Sequence, residues 1–117
     1  MAPRLNSLDV DGWELDDGEV AHKQTPDTYW IPDESVRRSL KVGQLAKLRF
    51  YIRTEDEAGQ ISDHGERMWV EVKGVVGKWY RGELANQPSC TDGISPGLEV
   101  WFEPRHVIGV HSEGESL

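Results

Sequence analysis

Hydrophobic residues recur at every second position in several stretches of the chain. Met68, Val70 and Val72 alternate with Trp69 and Glu71, and Ala46, Leu48, Phe50 and Ile52 alternate with Lys47, Arg49 and Tyr51. Leu98, Val100 and Phe102 alternate in the same way with Glu99, Trp101 and Glu103. Successive side chains leave a pleated backbone on opposite sides, so a period of two is the signature of a strand with one face in a core. Lys78 to Leu84 forms a fourth such stretch after a turn at Gly77, with Tyr80, Gly82 and Leu84 on one side and Trp79, Arg81 and Glu83 on the other. Beyond the break imposed by Pro104, residues His106 to Val110 suit a short last strand or turn.

Between the strands the pattern changes. Asp33 and Glu34, then Arg37, Arg38 and Lys41, then Gly43 follow the charge order of a helix of two turns or fewer, with Val36 and Leu40 as its apolar stripe. Tyr29, Trp30 and Ile31 stand between Pro26 and Pro32, which predicts an extended plug across the core with Trp30 as a buried anchor. Gly12 to His22 suits an edge strand followed by a turn at Asp17-Gly18, or an acidic lead-in. Thr54 to Gly65 and Ala85 to Pro96 are polar and rich in turn residues, and predict loops. The expected fold is mainly β (α+β): a strongly bent antiparallel sheet or small partly open SH3-like barrel of about five strands with one short helix. The expected organisation is a flexible N-terminal arm over 1–12, a single β-rich domain over 13–111 and a flexible C-terminal tail over 112–117.

Composition narrows the function classes. At 117 residues the chain holds one core, and its single Cys90 cannot form an internal disulfide. No apolar run reaches the length of a signal peptide or a membrane span, so the expectation is a cytoplasmic protein without a membrane partner. The net charge of -8 repels phosphate backbones, which argues against nucleic acid and allows a basic protein partner. His22, His64, His106, His111 and Cys90 lack the short paired spacings of zinc sites, and the glycines are scattered among turns with no phosphate cradle, so neither metal nor cofactor is expected.

Several phrases together resemble a bacterial family known as domain of unknown function 2314. They are Pro26 to Pro32, Gly43 to Leu48, Glu66 to Val72, Gly82 to Pro88 and Val100 to Ile108, in an order and spacing that span Trp13 to Val110. The resemblance implies a compact β-rich fold and a bacterial origin, and it implies no reaction. The family typically reads Asn-Asp-Pro in the loop after the hairpin, where this chain has Asn86-Gln87-Pro88. The chain is also distantly similar to immunity-type domains that neutralise toxins.

The candidate binding residues are Trp69, Glu71, Trp79, Trp101, Glu103, Arg105 and His106, the tryptophans and carboxylates on the polar sides of the strands and the pair that follows Pro104. They point to a noncatalytic protein-binding module with an acidic and aromatic face. The alternatives are an immunity-like inhibitor of a basic toxin and an enzyme acting on a small molecule through Arg105 and His106. Cys90, in a loop without a cationic neighbour, reads as a plain thiol. The sequence leaves the oligomeric state open.

Overall fold

The computed structural model describes residues 3–111. Its six strands are β1 (Trp13–Leu15), β2 (Leu45–Glu55), β3 (Ile61–Val76), β4 (Trp79–Leu84), β5 (Glu99–Phe102) and β6 (Gly109–His111). They form one curled antiparallel sheet in the order β1-β2-β3-β4-β5, and β6 returns to pair with β2. The helical content exceeds the single helix expected: α1 (Leu8–Asp11), α2 (Gly18–Gln24), α3 (Glu34–Arg37) and a 3-10 turn over Pro104–His106.

The alternation read from the sequence sets the inner face. Ala46, Leu48, Phe50, Ile52, Met68, Val70, Val72, Tyr80, Leu84, Val100 and Phe102 are all buried in one cluster, which Trp13 joins with its ring 5.4 Å from Phe50. Gly82 permits the tightest approach within it, because a Cβ there would lie 2.5 Å from Val70 Cγ1 and 2.8 Å from the Glu71 carbonyl oxygen. Lys73 interrupts the β3–β4 register between Val72 and Gly74, a bulge that increases local twist and helps the sheet curl. The hairpin then closes through Gly77 and Lys78, with the glycine at φ 61° in the first turn position, as a two-residue hairpin favours.

Several expectations are corrected. Thr54 to Gly65 is mostly strand: β2 and β3 stay paired out to Glu55 and Ile61, leaving only Asp56–Gln60 to turn. The hairpin end faces solvent on both sides, so no hydrophobic period marks it, and Arg53–Asp63 at 2.9 Å ties its strands together. Asp17-Gly18 is not a hairpin turn. Asp17 caps α2 by accepting from the Val20 N–H at 3.1 Å, and Gly18 packs where a Cβ would come within 2.8 Å of Ile108 Cγ2. Residues 3–12 contain α1, capped by Ser7 and closed at Gly12 with φ 80°. The expectation for 112–117 lies outside the described residues.

Around α3 the apolar stripe is only half realised, since Leu40 is buried while Val36 is 43% exposed. The inward residue is Arg37, 6% exposed. Its guanidinium donates to the Pro32 carbonyl at 2.9 Å, to the Pro104 carbonyl at 3.1 Å and to the Glu19 carboxylate at 2.5 Å. From the sheet below, the Tyr80 hydroxyl donates to the Arg37 carbonyl at 2.8 Å and accepts from the Leu40 N–H at 3.2 Å. Arg37 thus joins α2, α3, the Pro32 segment and the 3-10 turn. Arg37→Ala strands two carbonyls and is expected to lower the unfolding free energy by about 3 kcal/mol. Glu19→Gln keeps both carbonyl bonds and is expected to cost under about 1 kcal/mol, because Glu19 is partly solvated. Urea denaturation of the two variants checks this, and equal losses would mean that the ion pair, not the carbonyl bonding, holds the junction.

Candidate functional site

The structure divides the sequence-derived candidates among four places. Trp69 and Glu71 lie on the outer side of β3, where Glu71 pairs with Lys73 at 3.0 Å. Trp79 is half-buried beside the β3–β4 turn, opposite Val76. Trp101 is not on an open face: it is 8% exposed, and with Val100 and Phe102 also buried, β5 is enclosed on both sides. Its indole nitrogen is enclosed without a hydrogen-bond partner.

Glu103, Arg105 and His106 act as structural connections at the 3-10 turn. Arg105 bridges Asp17 at 3.0 Å and Glu103 at 3.2 Å, tying the turn to the start of α2. His106 is 2% exposed, and its Nδ1 accepts from the Glu103 N–H at 2.9 Å, which fixes the ring proton on Nε2. Burial first, and then the adjacent Arg105 charge, pushes its pKa down to about 4. The ring is buried and its Nδ1 is occupied by the Glu103 bond.

Cys90 is likewise quiet. Burial, and then the neighbouring Glu66, pushes the thiol up to about 11, which keeps it protonated at neutral pH. Glu66 accepts from the Ser89 N–H at 2.9 Å, the Ser89 hydroxyl at 3.0 Å and the Cys90 N–H at 3.2 Å. Desolvation raises this carboxyl, but the bonds from Ser89 and Cys90 outweigh it and hold the group below the usual range. Gln87 donates to the carbonyls of Thr91 at 3.1 Å and Ile94 at 2.8 Å, which a carboxylate could not do.

The open aromatic site lies elsewhere on the outer face. A groove of about 360 Å³ is lined by Thr28, Tyr29, Trp30, Lys47, Arg67, Trp69, Ile108, Gly109 and Val110. Trp30 is 73% exposed here, not a buried anchor. The Thr28–Pro32 segment is extended, so its side chains alternate: Tyr29 lies under the Arg67 guanidinium at 5.4 Å and Ile31 reaches toward Gly18, while Trp30 turns out. The Tyr29 hydroxyl is enclosed without a well-formed hydrogen bond, and burial pushes its pKa up.

The groove is cationic although the chain is acidic. Lys47 Nζ stands 4.9 Å from the Trp69 ring centroid, and the His111 ring meets Trp69 edge-on at 6.1 Å. Among the described residues neither Lys47 nor Arg67 pairs with a carboxylate. The strand register also sets Arg67 directly opposite Arg49, a like-charge pairing that costs stability. The lining includes no carboxylate, imidazole or thiol, and its two cations beside apolar surface suit holding an anion. Alternation places Lys47 and Arg49 on the polar side of β2, and the register sets Lys47 against Trp69.

No family model, curated protein or solved structure matches the chain in the three comparisons made. Among the described residues no cluster of His, Cys, Asp or Glu is placed to hold a metal ion, and no helix is long and apolar enough to cross a membrane.

The buried His106 sets a pH dependence. Its folded pKa lies below the unfolded value of about 6.5, so between pH 6.5 and about 4 the unfolded chain binds the extra proton. Stability is therefore full above pH 6.5 and falls as pH drops through that window, by roughly 3 kcal/mol at most. His106→Asn retains an acceptor for the Glu103 N–H and is expected to flatten this stretch of the profile. Urea midpoints at pH 7 and pH 4.5 measure it, and an unchanged slope in the variant would assign the titration to other groups.

Proposed function

We propose that the protein is a noncatalytic protein-binding module whose outer groove takes a carboxylate-bearing segment of a partner protein. The observation that carries this reading is the pair of cations, Lys47 and Arg67, held without carboxylate partners against Trp69 and Tyr29 beside the exposed Trp30. A partner carboxylate would supply the missing counter-charge and offset the Arg49–Arg67 repulsion, and the aromatic rings would cover the neighbouring apolar atoms. The reading keeps Trp69 from the aromatic face inferred from sequence but gives the partner acidic rather than basic character at this groove.

The curled sheet, whose last strand returns to the first long one after a 3-10 turn, fits an SH3-like barrel, a scaffold type that presents ligands with a rigid outer face. The resemblance to domain of unknown function 2314 is compatible with this reading and adds no reaction to it. A single cysteine, which cannot form an internal disulfide, suits a reducing compartment such as the cytoplasm. Immunity-like inhibition would be a special case in which the captured segment belongs to a toxin.

Displayed random heptapeptides selected on the immobilised chain test the proposal. Enrichment of sequences with Asp or Glu is expected. A Lys47→Ala, Arg67→Ala double variant is expected to bind the enriched peptides at least about tenfold more weakly, with the wild-type affinity falling as salt rises. Enrichment of basic peptides, or of none, would overturn the reading.

A further inference from the structure

The outer edge of β3 is used over only part of its length. β4 pairs with it from Val70 onward, and at Trp69 the N–H donates to Asn86 Oδ1 at 2.6 Å while the carbonyl accepts from the Ala85 N–H at 2.9 Å. Backbone groups alternate in direction along an antiparallel strand, so Arg67, Gly65, Asp63 and Ile61 aim their N–H and C=O groups to the same side as Trp69. Among the described residues no segment bonds to those groups, and all four residues are exposed. The loop after β4 does not take them up. Ser89 and Cys90 bond instead to the Glu66 carboxylate, and Glu66 shares the inner face with the buried Met68.

An open edge is a template for another strand, and proteins ordinarily blunt it with proline, lysine or a bulge. Between Ile61 and Arg67 there is no proline and no lysine, and the bulge of β3 lies further on, between Val72 and Gly74. The charges along the edge restrict which strand can pair with it. Arg49 lies across Gly65, where a Cβ would come within 2.9 Å of its Nη2, so the guanidinium occupies the place of a side chain at that position. Its own contact with Asp16 is long, at 3.9 Å. A strand that sets a carboxylate opposite Gly65 therefore meets a cation. Asp63, on the same edge and the same face, is such a carboxylate. It already bonds Arg53 at 2.9 Å, and its oxygens have lone pairs for a second donor.

We infer that the chain forms a symmetric dimer in which the β3 edges of two copies pair antiparallel, with the two-fold axis at His64. Asp63 of each copy then stands opposite Gly65 of the other, against Arg49, and Ile61 stands opposite Arg67, along the aliphatic stem of its side chain. Facing outward residues exchange both backbone bonds, so Ile61, Asp63, Gly65 and Arg67 all find partners. The neighbouring registers are worse. An axis at Asp63 sets the two Asp63 carboxylates against each other. An axis at Gly65 brings the two Arg49 guanidiniums together and sets Ile61 opposite Trp69, whose backbone groups are taken. The contact is isologous, so it uses up the edge in both copies and cannot propagate into a fibre. Paired strands keep facing residues on one face, so both grooves open on the same side of the joined sheet.

Sedimentation equilibrium of the full chain, carried to millimolar concentration, is expected to show twice the chain mass. Ile61→Pro and Gly65→Pro each remove an outward N–H without touching a β2–β3 bond, and each is expected to return the mass to that of one chain with its strand content unchanged. The register is tested in a Cys90→Ser background. His64 faces its own copy at a non-hydrogen-bonded site, where Cα atoms stand about 4.5 Å apart, so oxidation of His64→Cys is expected to link the copies, and Ser62→Cys is expected not to. A chain that stays monomeric at millimolar concentration, a dimer that survives both proline substitutions, or a dimer that fails to cross-link through His64→Cys would overturn the inference.

Discussion

The structure depends on a buried guanidinium that must find acceptors. Taking an arginine out of water is costly unless its donors find acceptors, and Arg37 meets that demand with three groups that are distant in sequence: the Pro32 and Pro104 carbonyls and the Glu19 carboxylate. Each lies close to something the candidate groove needs. Pro32 ends the segment that carries Tyr29 and Trp30, and Pro104 opens the turn that delivers Ile108, Gly109 and Val110 to the edge of β2. Both walls of the groove are thus positioned from one junction. The Tyr80 hydroxyl, bonded to the Arg37 carbonyl, ties that junction to the core side of β4.

The second support is the 3-10 turn itself. His106 is neutral and buried, and its Nδ1 takes the Glu103 N–H, while Arg105 reaches across to Asp17 at the cap of α2. Residues that looked available for chemistry at a strand end are occupied in holding the chain between β5 and β6. Gly18 completes the contact, since the α2 backbone can approach Ile108 and the Arg105 carbonyl only where no Cβ intervenes.

The inner face was legible in the sequence because burial on one side of a pleated strand enforces a period of two, and Leu48, Val70 and Val100 obey it without exception. Where both sides share one environment the period vanishes. The Thr54–Gly65 hairpin end is wet on both sides and its sequence suits a loop, and Trp101 is dry on both sides although alternation sets it among carboxylates on the polar side, where the sequence does not say whether it is covered. Trp30 shows a different failure: large apolar residues between prolines suggest burial, but an extended segment buries only alternate side chains, and Tyr29 and Ile31 took the inward positions. The groove was hidden for a related reason. It joins Tyr29, Lys47, Arg67 and Val110, four residues with no common motif, and only the β2–β3 register and the return of β6 bring them together.

The charge distribution bears on the selectivity that the proposed binding would have. A chain of net charge -8 repels an acidic segment at long range, yet at physiological ionic strength that field is screened beyond about 8 Å. Lys47 and Arg67 act inside that distance, where partly desolvated cations against aromatic rings attract a carboxylate more strongly than they would in open solvent. On the binding reading proposed above, an acidic surface carrying a small cationic groove would reject acidic chains that merely collide with it and retain those that seat a carboxylate at contact. Discrimination then lies in the lifetime of the complex, not in the rate of encounter, and a rigid outer face fixed through Arg37 is the scaffold such discrimination requires.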